Sequence, residues 1–281
     1  MKKTIAVIGH TGAVGAQVYR YFEEKAHPMM GLSRSSQTRN WEEINKDADY
    51  VFVCVPTPYV WKQRVYDLSI LNEVLYKLHD KVVVIKSTIP PKTIERFQEK
   101  YPTLTLLFNP EFLSEATAWE DFINPDRQLV GYTNKSRKYS MEVLNLLPES
   151  PYGVIMKASE AEITKYVNNF HGALMVIFAN FFYDICEKTG ADFEAVKKAG
   201  QASKWVGSPM GRMYWEVFHK GKRGYGGKCF PKDIDSLIKW CKENNINTEI
   251  IEATRKANVR ILKAQGLTEQ EAEKEKKSVI K

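Results

Sequence analysis

The chain has 281 residues, of which 43% are hydrophobic and 12% aromatic, and size scaling favours two domains over one. So many aromatic residues exclude a chain that is mainly disordered. Lysine and arginine number 41 against 34 acidic residues, which gives a formal net charge of +7. This charge is spread along the chain, so it indicates a mild bias toward anionic ligands and is weak evidence for nucleic acid.

Cysteine spacing and apolar runs exclude further classes of protein. The cysteines lie far apart, without the spacing of a zinc site or a disulfide framework, at Cys54, Cys186, Cys229 and Cys241. We therefore expect no metal and a reducing, cytoplasmic environment. The first apolar run is too short for a signal peptide, and the stretch 172–185 is shorter than the roughly 20 residues of a membrane span. No nucleic-acid or membrane partner is predicted.

The first 150 residues alternate short β-branched runs with helical segments, which is typical of a Rossmann-like, doubly wound parallel sheet. Near-continuous apolar runs such as 51–55 suit strands that are covered on both faces. The pattern predicts strands at 4–8, 28–32, 50–55, 81–86, 104–108 and 128–132. It predicts helices at 13–25, 67–78, 92–100 and 136–147.

The pattern changes after the proline-containing segment 148–151, where an all-α second domain is predicted. One long helix is expected at 159–189, and its second half is apolar on nearly every side, which predicts the core of a homodimer. Gly172 inside this helix predicts close packing. Further helices are predicted at 193–199, 234–244 and 249–264. The predicted domains are 1–150 and 151–265, followed by a charged tail at 266–281.

A glycine-rich turn, Gly9-His-Thr-Gly-Ala-Val-Gly15, ends the first strand and leads into the first helix. Glycines let the backbone approach a pyrophosphate, whose charge is stabilised by backbone N–H groups and the positive end of the helix. At the first strand-to-helix connection of such a sheet, this turn is typical of a dinucleotide site, and a plain connector is the alternative. The predicted cofactor contacts are Gly9, Thr11, Gly12, Ala13, Val14 and Gly15.

The segment that follows the second strand contains no acid. Dinucleotide folds that prefer NAD usually carry Asp or Glu here to bind the ribose 2′-hydroxyl. This chain has Ser33 and Arg34 instead, and an arginine can pair with a 2′-phosphate through two hydrogen bonds. The segment favours NADP, and a surface arginine in a loop is an alternative of nearly equal weight. We expect NADP to bind at least as well as NAD.

A second glycine-rich segment, 224–233, contains Cys229 just before a helix. Lys228 and Lys232 lie nearby, and a helix N-terminus and neighbouring lysines each favour the thiolate form of a cysteine. A nucleophilic thiolate is therefore indicated. The alternative, a small buried residue, suits Cys54 and Cys186 better, because both lie in apolar runs.

Two polar residues, Lys165 and Asn169, are four apart on the long predicted helix and so share one of its faces. A cation and an amide donor directed at one point can stabilise a developing oxyanion. Without further evidence, a solvated helix face is the commoner explanation of such a pair.

Five motifs in chain order carry a resemblance to a known family. They lie at 53–58, 86–91, 109–115, 165–169 and 224–233. Together they resemble the UDP-glucose/GDP-mannose dehydrogenase family, whose members oxidise the C6 alcohol of a nucleotide sugar to a carboxylate with two equivalents of NAD. The resemblance implies a Rossmann-like domain, a helical dimerisation domain and a role in polysaccharide biosynthesis.

The resemblance also implies catalytic roles. Cys229 matches the nucleophile that forms a thiohemiacetal and then a thioester. Lys165 and Asn169 match the groups that stabilise the oxyanion, and Glu111 matches the carboxylate that assists hydrolysis of the thioester. The pair that orders a water near the cysteine matches Thr88 and Asp233.

Binding residues follow from the same motifs. The glycine turn, Ser33 and Arg34 are already predicted to contact the cofactor. The resemblance adds further cofactor contacts at Val55, Pro56, Thr57, Glu115 and Lys232. The implied sugar contacts are Phe112, Leu113, Tyr225 and Gly226, with Arg212 as a weaker match.

Several features depart from the family pattern. The glycine turn has an extra residue, the acid after the second strand is missing, and the third domain, which holds the nucleotide diphosphate, has no counterpart after about Ala264. We therefore expect UDP-glucose, if it is a substrate, to bind weakly. Alternatives are a dehydrogenase of a smaller sugar or sugar phosphate, and a cofactor-binding subunit without turnover that a partner completes.

Overall fold

The computed structural model describes residues 2–60, 65–114, 116–203, 206, 214–219, 221–227, 229–268 and 271. The chain forms two compact units, one of residues 1–60 and 66–165 and the other of residues 61–65 and 166–281. The first unit is built around a β-sheet, and the described part of the second is mainly helical.

A seven-stranded sheet forms the centre of the first unit. The described strands, all of which belong to this sheet except β4 and β5, are β1 (Ile5–Ile8), β2 (Met29–Leu32), β3 (Tyr50–Val53), β4 (Tyr59–Val60), β5 (Val65–Tyr66), β6 (Val82–Ile85), β7 (Thr105–Phe108), β8 (Gln128–Tyr132) and β9 (Gly153–Lys157). The sheet has the order β2-β1-β3-β6-β7-β8-β9, and its neighbouring strands are parallel except for the antiparallel pair of β7 and β8. This confirms the predicted α/β class with a mostly parallel sheet.

Six helices accompany the sheet in the described part of the first unit, and a long seventh continues into the second unit. They are α1 (Ala13–Glu24), α2 (Trp41–Asp47), α3 (Ser69–Lys77), α4 (Thr93–Lys100), α5 (Ala118–Ile123), α6 (Arg137–Leu146) and α7 (Ala158–Thr189). The remaining described helices are α8 (Phe193–Gln201), α9 (Phe230–Glu243) and α10 (Glu249–Lys263).

The core of the first unit lies on both faces of the sheet. Side chains of a strand alternate between faces, and in β3 both sets are buried: Val51 and Val53 join one apolar cluster, whereas Tyr50 and Phe52 join the other. Helices α3 and α4 contribute to the first cluster, and α1 and α6 contribute to the second. This arrangement explains the near-continuous apolar runs of the strands.

Five of these elements were not predicted from the sequence: α2, α5, β9 and the two-residue strands β4 and β5. Helix α2 has only 7 residues and depends on a capping box. The side chain of Asn40 accepts the N–H of Glu43, whose carboxylate accepts the N–H of Asn40. The Asn-x-x-Glu spacing is thus a sequence signal for α2 that periodicity alone does not supply.

Strand β9 extends the sheet past residue 150, where the sequence places the domain boundary. It pairs with β8 along its whole length, and the next residues, Ala158 and Ala161 of α7, pack into an apolar cluster of the sheet. Gly131 of β8 gives this helix room, because a Cβ there would lie 2.9 Å from the Cβ of Ala161. The compact units therefore divide inside α7, after Lys165.

The second unit has two apolar clusters of its own. One joins α7, α9 and α10 with Tyr225, and the other joins α7 and α8 with Trp215 and Val217. Helix α9 begins at Phe230, earlier than the predicted residue 234, because Pro231 suits a first turn, whose N–H groups have no intrahelical acceptor. In the part of the chain that is described, no helix is both long and apolar enough to cross a membrane.

Candidate active site

The glycine turn between β1 and α1 packs so closely against neighbouring backbone that it has no space for side chains at two positions. Gly9 has a φ of +86°, and a Cβ on it would lie 2.6 Å from the carbonyl oxygen of Cys54. A Cβ on Gly15 would lie 2.1 Å from the carbonyl oxygen of Gly9. Gly12 is the N-cap residue of α1, and Ala13 and Val14 form its first turn. The turn therefore leads directly from β1 into the positive end of α1, which is where a pyrophosphate binds in folds of this kind.

We expect Gly15→Ala to destabilise the first unit, because the added methyl group meets backbone that cannot move aside. The free energy of unfolding should fall by about 1–3 kcal/mol, as for other overpacked sites, and nicotinamide cofactor binding should be lost. Urea denaturation and fluorescence titration with NADPH measure the two effects. Gly153→Ala in β9 is the control, since a Cβ there meets its nearest neighbour at an ordinary 3.7 Å. Equal stability of the two variants would contradict this prediction.

The ends of β3 and β6 are joined beside this turn. Thr57, which is buried, donates its hydroxyl to the carbonyl oxygen of Thr88 at 2.8 Å. Val55 is also buried, and Pro56 is exposed. These predicted residues therefore form a fixed edge at the carboxyl ends of the strands, where ligands of such sheets bind.

Lys165 and Glu111, which the motifs identify separately, form a mostly buried ion pair. The Nζ of Lys165 lies 2.9 Å from Oε1 of Glu111 and donates to its backbone oxygen at 2.7 Å. The side chains are only 6% and 15% exposed. Burial acts to raise the pKa of Glu111, but the charge and hydrogen bond of Lys165 outweigh it, so the pKa lies below its usual value. The site therefore holds an ionised carboxylate beside an ammonium group.

The segment that carries Glu111 also contains two predicted sugar contacts. The backbone N–H of Leu113 donates to Oε2 of Glu111 at 2.8 Å. The ring of Phe112 lies near two cations, with the guanidinium carbon of Arg127 at 4.0 Å and the Nζ of Lys165 at 5.5 Å from its centroid. Both residues are half-buried, so part of each remains accessible to a ligand.

Sequence reasoning missed two buried residues that support this segment. Lys86 follows β6 directly, and its Nζ donates to the side-chain oxygen of Asn109. Asn109 in turn donates from Nδ2 to the carbonyl oxygen of Leu129 at 2.8 Å, which fixes the start of the segment that leads to Glu111. Burial lowers the pKa of Lys86 to about 8. The available signal was a lysine placed directly after a strand that is apolar on both faces.

Glu162 is a second residue that the sequence did not single out. It lies one turn before Lys165 on α7 and is fully buried. Its carboxylate accepts the backbone N–H groups of Lys92 at 2.5 Å and Ile94 at 2.8 Å, at the start of α4. Burial raises the pKa of Glu162 to about 8. This carboxylate ties the first turn of α7 to α4 and so fixes the position of Lys165 within its unit.

In the second unit, Asn169 and Asp233 form a buried pair. Nδ2 of Asn169 donates to Oδ2 of Asp233, and the Nζ of Lys232 lies 2.7 Å from Oδ1 of the same carboxylate. Asn169 is 5% exposed and Asp233 is 1% exposed. The solvated-face explanation of Lys165 and Asn169 is therefore wrong, because both side chains are buried in polar contacts.

Cys229 is the N-cap residue of α9, one turn before Asp233, and it is exposed. The other three cysteines differ: Cys186 is buried, and burial raises the pKa of both Cys54, to about 12, and Cys241. An exposed thiol at the positive end of a helix is the arrangement that suits a nucleophile.

A close approach between helices positions the residue after the thiol. A Cβ on Gly172 of α7 would lie 2.6 Å from the ring of Phe230 and 3.0 Å from the ring of Tyr214. The close packing predicted at Gly172 is thus present, and the aromatic ring next to Cys229 lies against the backbone of α7.

The loop before Cys229 is fixed by a residue that sequence reasoning missed. Oδ1 of Asn258, on α10, accepts the backbone N–H of Tyr225 at 2.8 Å, and its Nδ2 donates to the carbonyl oxygen of Tyr225 at 3.0 Å. Gly224 allows this contact, since a Cβ there would lie 2.6 Å from Oδ1 of Asn258. Tyr225 is buried in the helical core, whereas Gly226 is half-buried.

Three residues of the sequence predictions, Glu115, Arg212 and Lys228, lie outside the described residues. Among the residues that are described, no group of three or more His, Cys, Asp or Glu side chains has the arrangement of a metal site.

Comparison with protein families identifies the relatives of both units. Residues 20–146 match the NAD binding domain of the UDP-glucose/GDP-mannose dehydrogenase family, and residues 159–260 match its central domain. The chain belongs to this family.

Curated relatives within the UDP-glucose/GDP-mannose dehydrogenase family are named UDP-glucose 6-dehydrogenase. The Rickettsia bellii protein is 35% identical over 79% of this chain and 51% of its own length, and the Pseudomonas aeruginosa protein is 31% identical over 82% and 53%. The chain spans about half the length of the curated relatives it matches.

Two solved structures share the fold. The UDP-glucose dehydrogenase of Pyrobaculum islandicum superposes with a TM-score of 0.77 at 24% identity, covering 94% of this chain and 71% of that one. The UDP-D-ManNAc dehydrogenase of Pyrococcus horikoshii gives a TM-score of 0.79 at 18% identity, with coverage of 94% and 70%.

Proposed function

We propose that this protein oxidises the C6 alcohol of a nucleotide sugar such as UDP-glucose to a carboxylate, with a nicotinamide cofactor on the glycine turn. Membership of the family and curated relatives named UDP-glucose 6-dehydrogenase support the reaction class. The geometry of the glycine turn supports the cofactor, since a turn that only glycine can form joins β1 to the N-terminus of α1.

The residues divide the chemistry between them. Oxidation of an alcohol to a carboxylate releases two hydrides, and each of two nicotinamide cofactors, when bound in turn, would accept one of them. The thiolate of Cys229 adds to the aldehyde carbon, a C–S bond forms and the carbonyl oxygen becomes an oxyanion. Lys165 stabilises this oxyanion by its charge, and Asn169 does so by donating an amide N–H.

Release of the product requires water. After the second oxidation the carbon is held as a thioester, which a water attacks while Glu111 accepts a proton from that water and the thiolate of Cys229 leaves. The lowered pKa of Glu111 keeps it ionised for this role. Following the resemblance, we assign Thr88 and Asp233 the role of ordering this attacking water.

One observation carries the proposal: the carboxylate of Asp233 is buried, it is bonded to Asn169 and Lys232, and it lies one turn after the exposed thiol of Cys229. Burying charged and amide groups costs free energy, and the start of a purely structural helix does not need Asp233, Asn169 and Lys232 together. A reactive cysteine does need an ordered polar environment.

The test is direct assay of the purified protein with UDP-glucose and either NAD or NADP. Absorbance at 340 nm should report two equivalents of reduced cofactor for each sugar consumed, and mass spectrometry should show the uronate. No reduced cofactor with UDP-glucose, UDP-N-acetylmannosamine or GDP-mannose would contradict the proposal. Reduction with a sugar phosphate alone would favour the alternative of a smaller substrate.

We also propose that the protein is a homodimer assembled through α7. Five large apolar residues on this helix are exposed, with Val167 at 63% and Phe181 at 60%, together with Ile163, Phe178 and Ile185. At 100° per residue they fall on one face of the helix. An apolar stripe of this kind marks a protein interface, and a second copy is the commonest partner.

We expect Phe181→Glu to convert the dimer to a monomer, because a carboxylate in the apolar stripe is buried unpaired on association. Sedimentation velocity at micromolar concentration measures the change. Glu187→Arg on the opposite side of α7 is the control, which should remain dimeric. A wild-type protein that sediments only as a monomer would exclude this interface.

A further inference from the structure

The hydroxyl groups of Thr11, Ser33 and Ser35 lie close together, where the glycine turn before α1 meets the segment that follows β2. The Oγ1 of Thr11 lies 3.0 Å from Oγ of Ser33 and 3.0 Å from Oγ of Ser35, and the two serine oxygens are 3.4 Å apart. Ser33 is fixed by Ser36, whose backbone N–H donates to Oγ of Ser33 at 3.2 Å. The hydroxyl protons of Thr11 and Ser35 can rotate, so they can turn toward an anionic oxygen.

The residue between the two serines, Arg34, supplies a cation. Arg34 is exposed, and among the described residues its guanidinium forms no salt bridge or hydrogen bond. Its charge reaches Glu73, but Lys77 already binds that carboxylate at 2.6 Å. Throughout the described chain, the backbone N–H groups of Arg34 and Ser35 also donate to no protein acceptor. Arginine, hydroxyl and backbone donors together are the ordinary ligands of a phosphate.

The loop that carries these groups is closed at its base. The backbone N–H of Thr38 donates to the carbonyl oxygen of Gly31 at 2.8 Å, and the N–H of Gly31 donates to Oγ1 of Thr38 at 2.7 Å. Ser33 and Ser36 make a further backbone hydrogen bond of 2.8 Å across the loop. The loop backbone, with the hydroxyl and N–H donors that it carries, is therefore held in place before a ligand arrives, which reduces the entropy lost on binding.

The place of this loop in the sheet identifies the ligand group. Leu32 of β2 pairs with Ile8 of β1, so Ser33 follows β2 at the position where NAD-specific folds carry an acid on the ribose 2′-hydroxyl. Residues 33–39 contain no acid. We infer that Thr11, Ser33, Arg34 and Ser35 bind the 2′-phosphate of NADP, so that the protein selects NADP over NAD. This inference rests on the proposed function, which places the cofactor on the glycine turn.

Binding of adenine nucleotides tests the inference without an enzyme assay. The wild-type protein is titrated with NADPH and NADH by fluorescence, and with adenosine 2′,5′-bisphosphate and 5′-AMP by calorimetry. We expect NADPH to bind at least about tenfold more tightly than NADH, since a charge-assisted hydrogen bond is worth about tenfold or more in affinity. Arg34→Ala should weaken NADPH and the bisphosphate by about tenfold and leave NADH within about twofold.

Two further variants make the test specific. Arg137→Ala removes the same charge from an exposed arginine at the start of α6, so it should leave the preference for NADPH unchanged. Ser33→Asp restores an acid after β2, so it should weaken NADPH and strengthen NADH. Circular dichroism spectra matching the wild type establish that each variant is folded.

The outcomes separate this inference from the proposed function. Tighter binding of NADH than NADPH by the wild type would overturn the inference, as would an equal loss of both in Arg34→Ala. If a nucleotide sugar is oxidised with NAD alone, the proposed function stands and the 2′-phosphate site fails. If NADPH binds through Arg34 but no nucleotide sugar is oxidised, the site stands and the proposed reaction fails. Binding of neither cofactor would overturn both.

Discussion

Cys229→Ser is expected to abolish formation of the uronate while the fold and cofactor binding survive. Serine keeps the shape of the side chain at the N-cap of α9 but replaces the thiolate, which is the group proposed to form the thioester. Removing a covalent nucleophile should lower steady-state turnover by at least about a thousandfold. Uronate measured by mass spectrometry, beside reduced cofactor measured at 340 nm, quantifies the loss.

Cys241→Ser provides the matched control on the same helix. Cys241 lies near the end of α9 and burial raises the pKa of its thiol, so it is unsuited to nucleophilic attack. Turnover of this variant should stay within about twofold of the wild type. Undiminished uronate formation by Cys229→Ser would remove Cys229 from the mechanism, whatever the control shows.

Lys165→Met is expected to have the largest effect on stability. It removes the ammonium group that neutralises Glu111 and leaves a carboxylate that is only 15% exposed without its ion-pair partner. Breaking one side of a buried pair typically costs about 3–5 kcal/mol. Urea denaturation should show this fall in the free energy of unfolding, and turnover should fall because the oxyanion loses its cation.

The double variant Lys165→Met/Glu111→Gln distinguishes charge from packing. Removing the stranded charge should recover part of the stability that Lys165→Met loses, whereas a defect of packing would persist. A double variant no more stable than Lys165→Met would show that the charge of Glu111 is not the cause.

The same pair predicts a pH dependence in the wild type. Because the pKa of Glu111 in the folded protein lies below the ordinary glutamate value of 4.5, the pair contributes stability above about pH 4.5 and loses it as the pH falls further. Glu111→Gln should flatten this part of the stability profile. Unchanged acid sensitivity in Glu111→Gln would show that other groups are responsible.

Periodicity made most of the fold predictable. The six strands predicted from β-branched runs and the long helix at 159–189 lie within two residues of β1, β2, β3, β6, β7, β8 and α7. Strand β9 was not predicted because its three apolar residues follow two prolines closely and precede a helix, so the segment resembles a linker. A short run becomes a strand only when a neighbour such as β8 offers its edge.

The candidate site was predictable in residue types but not in partners. The motifs single out Lys165 and Glu111, yet the two are 54 residues apart in sequence and only folding brings them together. Lys86, Glu162 and Asn258 went unnoticed for a similar reason, since each acts through backbone or amide groups far along the chain. Sequence patterns report local periodicity, whereas these contacts depend on tertiary placement.

Gly172 shows how α7 balances its own stability against the needs of the cysteine. Alanine at this position would stabilise an isolated helix by about 1 kcal/mol. In this protein its methyl group would meet the ring of Phe230, the residue that follows Cys229. Alanine at position 172 would therefore stabilise α7 itself but displace the start of α9 and the thiol that it carries. The weak point in the longest helix of the described chain is thus a condition for placing the candidate nucleophile.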